Sequence, residues 1–164
     1  MKQRTDRDKR AEDGTLWFGQ PVQALPPLGA QDAQEALADL AFAAKEQDAP
    51  QLAALCANQS ALSAFLASIL SLSPFLKSAF LRRPLILEAL FKRPLADRLA
   101  EIEADILAPV ESETESQLMT RLRRLKGEAH ALIGLADLSR TQDTQATIHQ
   151  LSSLADACLG AAVR

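Results

Sequence analysis

Tyrosine is absent from this chain of 164 residues, and valine occurs only at Val22, Val110 and Val163. Strands favour β-branched and aromatic side chains, whereas the alanine and leucine that dominate here favour helices. The scarcity excludes a substantial sheet and leaves an all-α class. Histidine is limited to His130 and His149, and cysteine to Cys56 and Cys158. There is no HExxH, no CxxC and no His–Cys cluster, so no metal ligand set can be assigned. Without a secretory signal the two thiols read as reduced core residues of a cytoplasmic protein. A large excess of one charge is missing too. Eighteen basic residues against 21 acidic ones give a net charge of −3, which lacks the global signature of a nucleic-acid binder. The most apolar stretch, residues 61–72, is too short to span a bilayer. Residues 1–13 are charged throughout and contain no apolar core of a signal peptide. The expectation is a single helical domain, with neither nucleic acid nor membrane as partner.

What the sequence does have is a long helical pattern from Glu111 to Arg140. Leu118, Met119, Leu122, Leu125, Ala129, Leu132, Ile133 and Ala136 follow the i, i+3, i+4, i+7 spacing of one helix face. Ser112 followed by Glu115 fits a capping box at its start. Gly127 and Gly134 lie seven apart on a similar face, so close packing against another helix is one explanation for them. Arg121, Arg123, Arg124 and Lys126 flank Leu122 and Leu125. One reading is a solvated face with intrahelical pairs such as Arg124 with Glu128. The other is a basic patch for a phosphate or an acidic partner surface. No aromatic residue interleaves with these charges, so base stacking has no support.

Residues 1–28 are rich in charge and then in proline and glycine, and are expected as a disordered or loosely docked arm. Residues 29–164 form the all-helical domain, an irregular bundle of about six to seven helices. Leu16, Trp17 and Phe18 stand out in the arm; they dock on a groove of a neighbour or pack locally on this domain. Residues 31–46 form a helix with Asp32 as candidate N-cap and Leu37, Leu40, Ala41 and Ala44 inward. Pro50 opens a short helix through Cys56, and residues 60–71 another. Pro74, Pro84 and Pro94 recur every ten residues. Proline suits the first helical position and biases its predecessor away from helix. Successive short helices joined by sharp corners follow, one kinked helix being the alternative. They share a core from Phe75, Leu76, Phe80, Leu87, Leu90, Phe91 and Leu99. Asp143 or Thr144 caps a last helix with Ile148, Leu151, Leu154, Ala155, Cys158, Leu159 and Ala162 inward. Its apolar stripe still runs at Arg164, which suggests a chain that continues.

Catalytic chemistry finds little to use. Neither GxxxxGK[ST] nor GxGxxG is present to hold phosphates. Asp6 and Asp8 resemble a carboxylate pair only in letters, and Glu101 and Asp105 read as a solvated acidic edge. His130 and His149 read as surface or boundary residues. No serine has a base in a recognisable motif. No catalytic, cofactor-binding or metal residue is assigned.

The order of pieces from Ser73 onward resembles the N-terminal helical region of the glutamine synthetase adenylyltransferase family, whose members add and remove AMP. The pieces are Ser73-Pro74-Phe75-Leu76, Arg82-Arg83-Pro84 with Leu85 and Leu87, Leu122-Arg123-Arg124-Leu125-Lys126 leading into residues 131–138, and Leu151-Ser152-Ser153-Leu154-Ala155-Asp156-Ala157. Leu135-Ala136-Asp137-Leu138 leans towards alphaproteobacterial members. The match covers about residues 70–164. Gly127 departs from it, since the family often has a basic residue there. The resemblance implies ATP and Mg²⁺ for the full-length enzyme, bound by a downstream nucleotidyltransferase domain with a Gly-Ser turn and an Asp-x-Asp pair. This chain stops before that Gly-Ser and Asp-x-Asp site, so no cofactor is expected here and the chain alone should be an inactive scaffold. Implied partners are glutamine synthetase, the nitrogen-regulatory PII protein and the catalytic domain, with Arg121, Arg123, Arg124, Lys126, Trp17 and Phe18 as candidate contacts. The alternative is a stand-alone helical interaction module.

Overall fold

The computed structural model describes residues 5–163, and contains only helices and connecting turns among them. Residues 1–4 of the expected arm and Arg164 at the end of the last helix lie outside the described residues. Ten helices run in order: α1 (Asp6–Glu12), α2 (Thr15–Phe18), α3 (Ala30–Glu46), α4 (Pro50–Ala57), α5 (Ala61–Leu72), α6 (Pro74–Arg82), α7 (Leu85–Ala89), α8 (Leu95–Leu107), α9 (Glu115–Ser139) and α10 (Thr144–Ala162). Eight of them fall in residues 29–163, where about six to seven were expected; the surplus comes from the short pieces around the prolines.

Local chemistry explains most boundaries. Ser73 ends α5 and, through its side chain, accepts the Leu76 N–H that opens α6, with Pro74 at the first helical position. Pro84 and Pro94 sit just before α7 and α8, so the ten-residue recurrence makes corners between separate helices rather than kinks in one. α7 is only five residues long, followed by turns, because it lacks the length to propagate alone. α9 is capped by Thr114 with Gln117, not by Ser112 with Glu115. Ser112 instead takes a positive φ of 65° in the preceding turn, where it cannot cap. Gly29 precedes α3, and Asp32 lies in its first turn rather than at the cap. Asp143 caps α10 as expected.

Two layers form around one core. α3 packs on α4, α5 and α6, while α9 packs on α6, α8 and α10. Phe65, Phe80, Leu40, Leu52, Leu62, Leu66, Ile69, Leu76 and Leu87 are fully buried between them. Trp17 joins this core. Its ring lies 5.3 Å from that of Phe91 at 82°, and Phe18 lies 6.0 Å from Phe65 at 86°. Such edge-to-face pairs add to the area they bury. Of the two readings for this aromatic pair, local packing is the one realised. Thr5 to Leu28 therefore includes docked structure: α1, α2 and a strap returning to the core at Val22. Gly14 makes the corner into α2 with φ +89°, and a Cβ there would meet Val22 Cγ2 at 2.9 Å.

Some expected core residues face outward. Phe75 is exposed, and on α10 so are Ile148, Leu151 and Leu159. α10 has two apolar faces, and it buries the one carrying Leu154, Ala157 and Ala161. Gly134 approaches Leu76 at ordinary contact distance, whereas nothing lies near Gly127, so close packing does not account for Gly127. No single described helix is long and apolar enough to cross a membrane.

Candidate functional site

The polar centre of the molecule is Glu128. Three residues after Leu125 and four before Leu132, it falls on the buried face of α9 and is itself buried. Its Oε2 accepts from Arg83 Nη2 at 3.0 Å, at the end of α6. Its Oε1 accepts from Arg98 Nε at 2.7 Å, in the first turns of α8, with Arg98 Nη2 also at 2.7 Å. Arg83 Nη1 donates to the carbonyl of Arg124 at 3.2 Å. One carboxylate thus fastens three helices. Arg98 Nη1 continues to Glu101, which Arg93 also grips. Burial alone would lower the Arg98 pKa, but hydrogen bonding and charge from Glu128, then Glu101, outweigh it and raise it. Glu101 is held below the ordinary carboxylate range, first by its hydrogen bond from Arg93 and then by Arg98.

A second buried carboxylate, Glu88 on α7, caps α4 from a distance. It accepts from the backbone N–H of Leu52 at 2.7 Å and of Gln51 at 3.2 Å. α4 has Ala49 at its N-cap and no local side-chain acceptor. A carboxylate from elsewhere satisfies its free N–H groups and complements the helix dipole. Both carboxylates line a cleft of about 480 Å³, together with Lys92, Arg93, Leu85 and Ala89.

The basic residues on α9 divide. Arg121 is consumed by structure: Nε and Nη2 each donate to Glu113 at 2.8 Å, and Nη1 and Nη2 reach the carbonyls of Asp105 and Ala108. It staples the α8–α9 connection, and its hydrogen bond holds Glu113 below the ordinary carboxylate range. Arg123, Arg124 and Lys126 are exposed, and no ion pair involves them among the described residues. The expected Arg124–Glu128 pair does not form, because Glu128 turns inward to Arg83 and Arg98. Lys126 lies close enough to His130 and Cys158 to influence both charges. Trp17 and Phe18 do not join this group. Trp17 borders Ala136, about 18 Å along α9 from Arg124. The sequence reading missed Glu88, Glu128, Arg83 and Arg98; the position of Glu128 between Leu125 and Leu132 was the available signal.

Among the described residues, no group of three or more histidine, cysteine or acidic side chains could hold a metal ion. The fold and its polar centre define an all-helical domain whose charged residues join helices to one another. The family model described as glutamate-ammonia ligase adenylyltransferase matches residues 63–164. A bifunctional glutamine synthetase adenylyltransferase/adenylyl-removing enzyme of Brucella suis biovar 1 (strain 1330) is 42% identical over 152 residues, covering 91% of this chain. The enzyme so described from Mesorhizobium japonicum (strain LMG 29417 / CECT 9101 / MAFF 303099) is 46% identical over 151 residues, again 91% of this chain. The chain belongs to the glutamate-ammonia ligase adenylyltransferase family. It spans 15% of the length of those relatives. No solved structure matches it.

Proposed function

We propose that this chain is the N-terminal helical part of an enzyme that transfers AMP to glutamine synthetase and removes it. Residues 29–164 serve as a non-catalytic docking domain, with residues 1–28 as its arm. In the whole enzyme, ATP and Mg²⁺ would be bound by a separate nucleotidyltransferase domain, and glutamine synthetase and a PII-type nitrogen regulator would be its partners in the cytoplasm. The observation that carries the docking role is the uncovered apolar stripe of α10. Ile148, Leu151 and Leu159 are 59%, 42% and 64% exposed at helical spacing. A contiguous exposed stripe of this kind marks a contact surface. Lys126 approaches α10 near Cys158, and the exposed Arg123 and Arg124 carry further free positive charge on α9. The proposed occupant is the remainder of the family polypeptide, of which this chain corresponds to 15% of the length.

The test uses the enzyme in full and this chain alone. Leu159→Glu, and Arg123→Glu with Arg124→Glu, should weaken AMP transfer by the full-length enzyme while leaving the melting point of the 164-residue chain nearly unchanged. The chain alone should neither transfer nor remove AMP on purified glutamine synthetase. Activity from the chain alone, or full activity in both variants, would overturn the proposal.

A further inference from the structure

The cleft beside Glu128 holds more hydrogen-bond donors than acceptors. Its two carboxylates, Glu88 and Glu128, are buried and spent on the α4 backbone and on Arg83 and Arg98. Its cations are not all spent. Arg83 uses both Nη atoms internally, and Arg93 uses Nη1 on Glu101. Arg83 Nε, Arg93 Nε and Nη2, and the Lys92 ammonium have no acceptor among the described residues. Guanidinium and ammonium groups donate and cannot accept. Water meets these donors in the free chain, and a group that only accepts and carries negative charge would engage several of them at once. The wall beside these donors is apolar, and Leu85 on it is 52% exposed.

We propose that this cleft binds a small organic anion, a carboxylate or phosphate borne on a short apolar body. Lys92, Arg93 and Arg83 take the anionic group, and Leu85 with Ala89 takes the apolar part. A volume of about 480 Å³ is within the range of small-molecule sites. The clamp of Glu128 on Arg83 and Arg98 orders the cleft before any ligand arrives, so little ordering cost falls on binding. The assignment goes beyond the docking role and does not depend on it.

The experiment is nuclear magnetic resonance titration of the 164-residue chain, reading backbone amides and the arginine Nε–H signals. The probes are glutarate and butyl phosphate, with glutaramide as the uncharged control. Saturable shifts confined to residues around Arg83, Lys92 and Arg93 are expected with at least one anion and not with the diamide. If both anions saturate, the site reads charge; if one does, it reads that group, and either result supports the site. Lys92→Gln with Arg93→Gln should raise the Kd at least about tenfold, the loss of roughly one charge-assisted hydrogen bond. Leu85→Asp tests the same cleft from its apolar side and should also abolish saturation. Shifts that never saturate, that spread over the surface lysines, that glutaramide reproduces, or that survive the variants would overturn the proposal.

Discussion

Replacing Glu128 by Gln should be among the most damaging conservative changes in this chain. The substitution keeps shape and volume, but removes the charge that holds α6, α8 and α9 together. Glu128 has a side chain only 6% exposed, facing Arg83 and Arg98 at 38% and 18%. Removing one partner of a buried ion pair costs about 3–5 kcal/mol, because the other charge stays buried without compensation. Here water relieves part of that cost, since Arg83 is more than one-third exposed. Arg98 keeps Glu101 as well. A loss of about 2–4 kcal/mol follows, most of it from Arg98. In a domain of this size that is a melting-point drop of about 4–16 °C. Urea unfolding followed by far-ultraviolet circular dichroism gives the free energy directly, provided the slope is unchanged. A cycle pairing Glu128→Gln with Arg98→Gln should show strong non-additivity, because each single change removes the same contact. A loss below about 1 kcal/mol for Glu128→Gln, or additive effects in the cycle, would refute the idea that this carboxylate joins the helices.

Other expectations are narrower. Burial pushes the Cys56 thiol up to about 11, so at pH 8 its alkylation should be slower than in the urea-unfolded chain, by about a hundredfold in thiolate fraction; equal rates would contradict its burial. Gly127→Ala should stabilise α9 by about 0.5–1 kcal/mol, since nothing occupies the added Cβ position. Gly14→Ala should destabilise by more than that, since φ is positive and Val22 is in the way; thermal melts of the pair decide. Because its folded pKa is depressed, ionised Glu113 contributes stability above the ordinary carboxylate value of about 4.3 and loses it as pH falls through its lower folded value. Hydrogen exchange in residues 108–114 should therefore accelerate only at acid pH, and the dependence should vanish in Arg121→Gln. Trp17→Ala should cost about 3–5 kcal/mol, as for a core aromatic; a melt close to that of the parent would restore the view of a loosely attached arm.

Much of the helix pattern was legible because its signals are local. Proline at positions 74, 84 and 94 and Asp143 ahead of the last helix each act within a few residues. The errors also have local causes. Ser112 and Thr114 both begin sequences that fit a capping box, and only the turn conformation at Ser112 decides between them. On α10 the apolar residues extend round more than one face, so periodicity alone could not tell Leu154 from Leu159. The polar centre was less legible still. The partners of Glu128 lie 45 and 30 residues away, and Glu88 caps a helix 36 residues before it. Local spacing offered Arg124 for Glu128, and tertiary packing overrode it.

These long-range choices change what the outside of the molecule presents. The chain carries a net charge of −3, yet three of its carboxylates are directed to internal work: Glu88 on a helix end, Glu113 on Arg121 and Glu128 on Arg83 and Arg98. Glu88 takes no cation with it, whereas Glu113 and Glu128 occupy Arg121, Arg83 and Arg98. Lys92, Arg123 and Arg124 stay exposed with no ion pair among the described residues, while Arg93 pairs with Glu101. A change at Glu128 should loosen the helices and also disturb the cleft beside it, whereas a change at Lys92 should alter the charge of the cleft and leave the fold intact. That asymmetry follows from burial: low local dielectric strengthens a satisfied network and makes its interruption costly, while a solvated ammonium can be removed at little expense to stability.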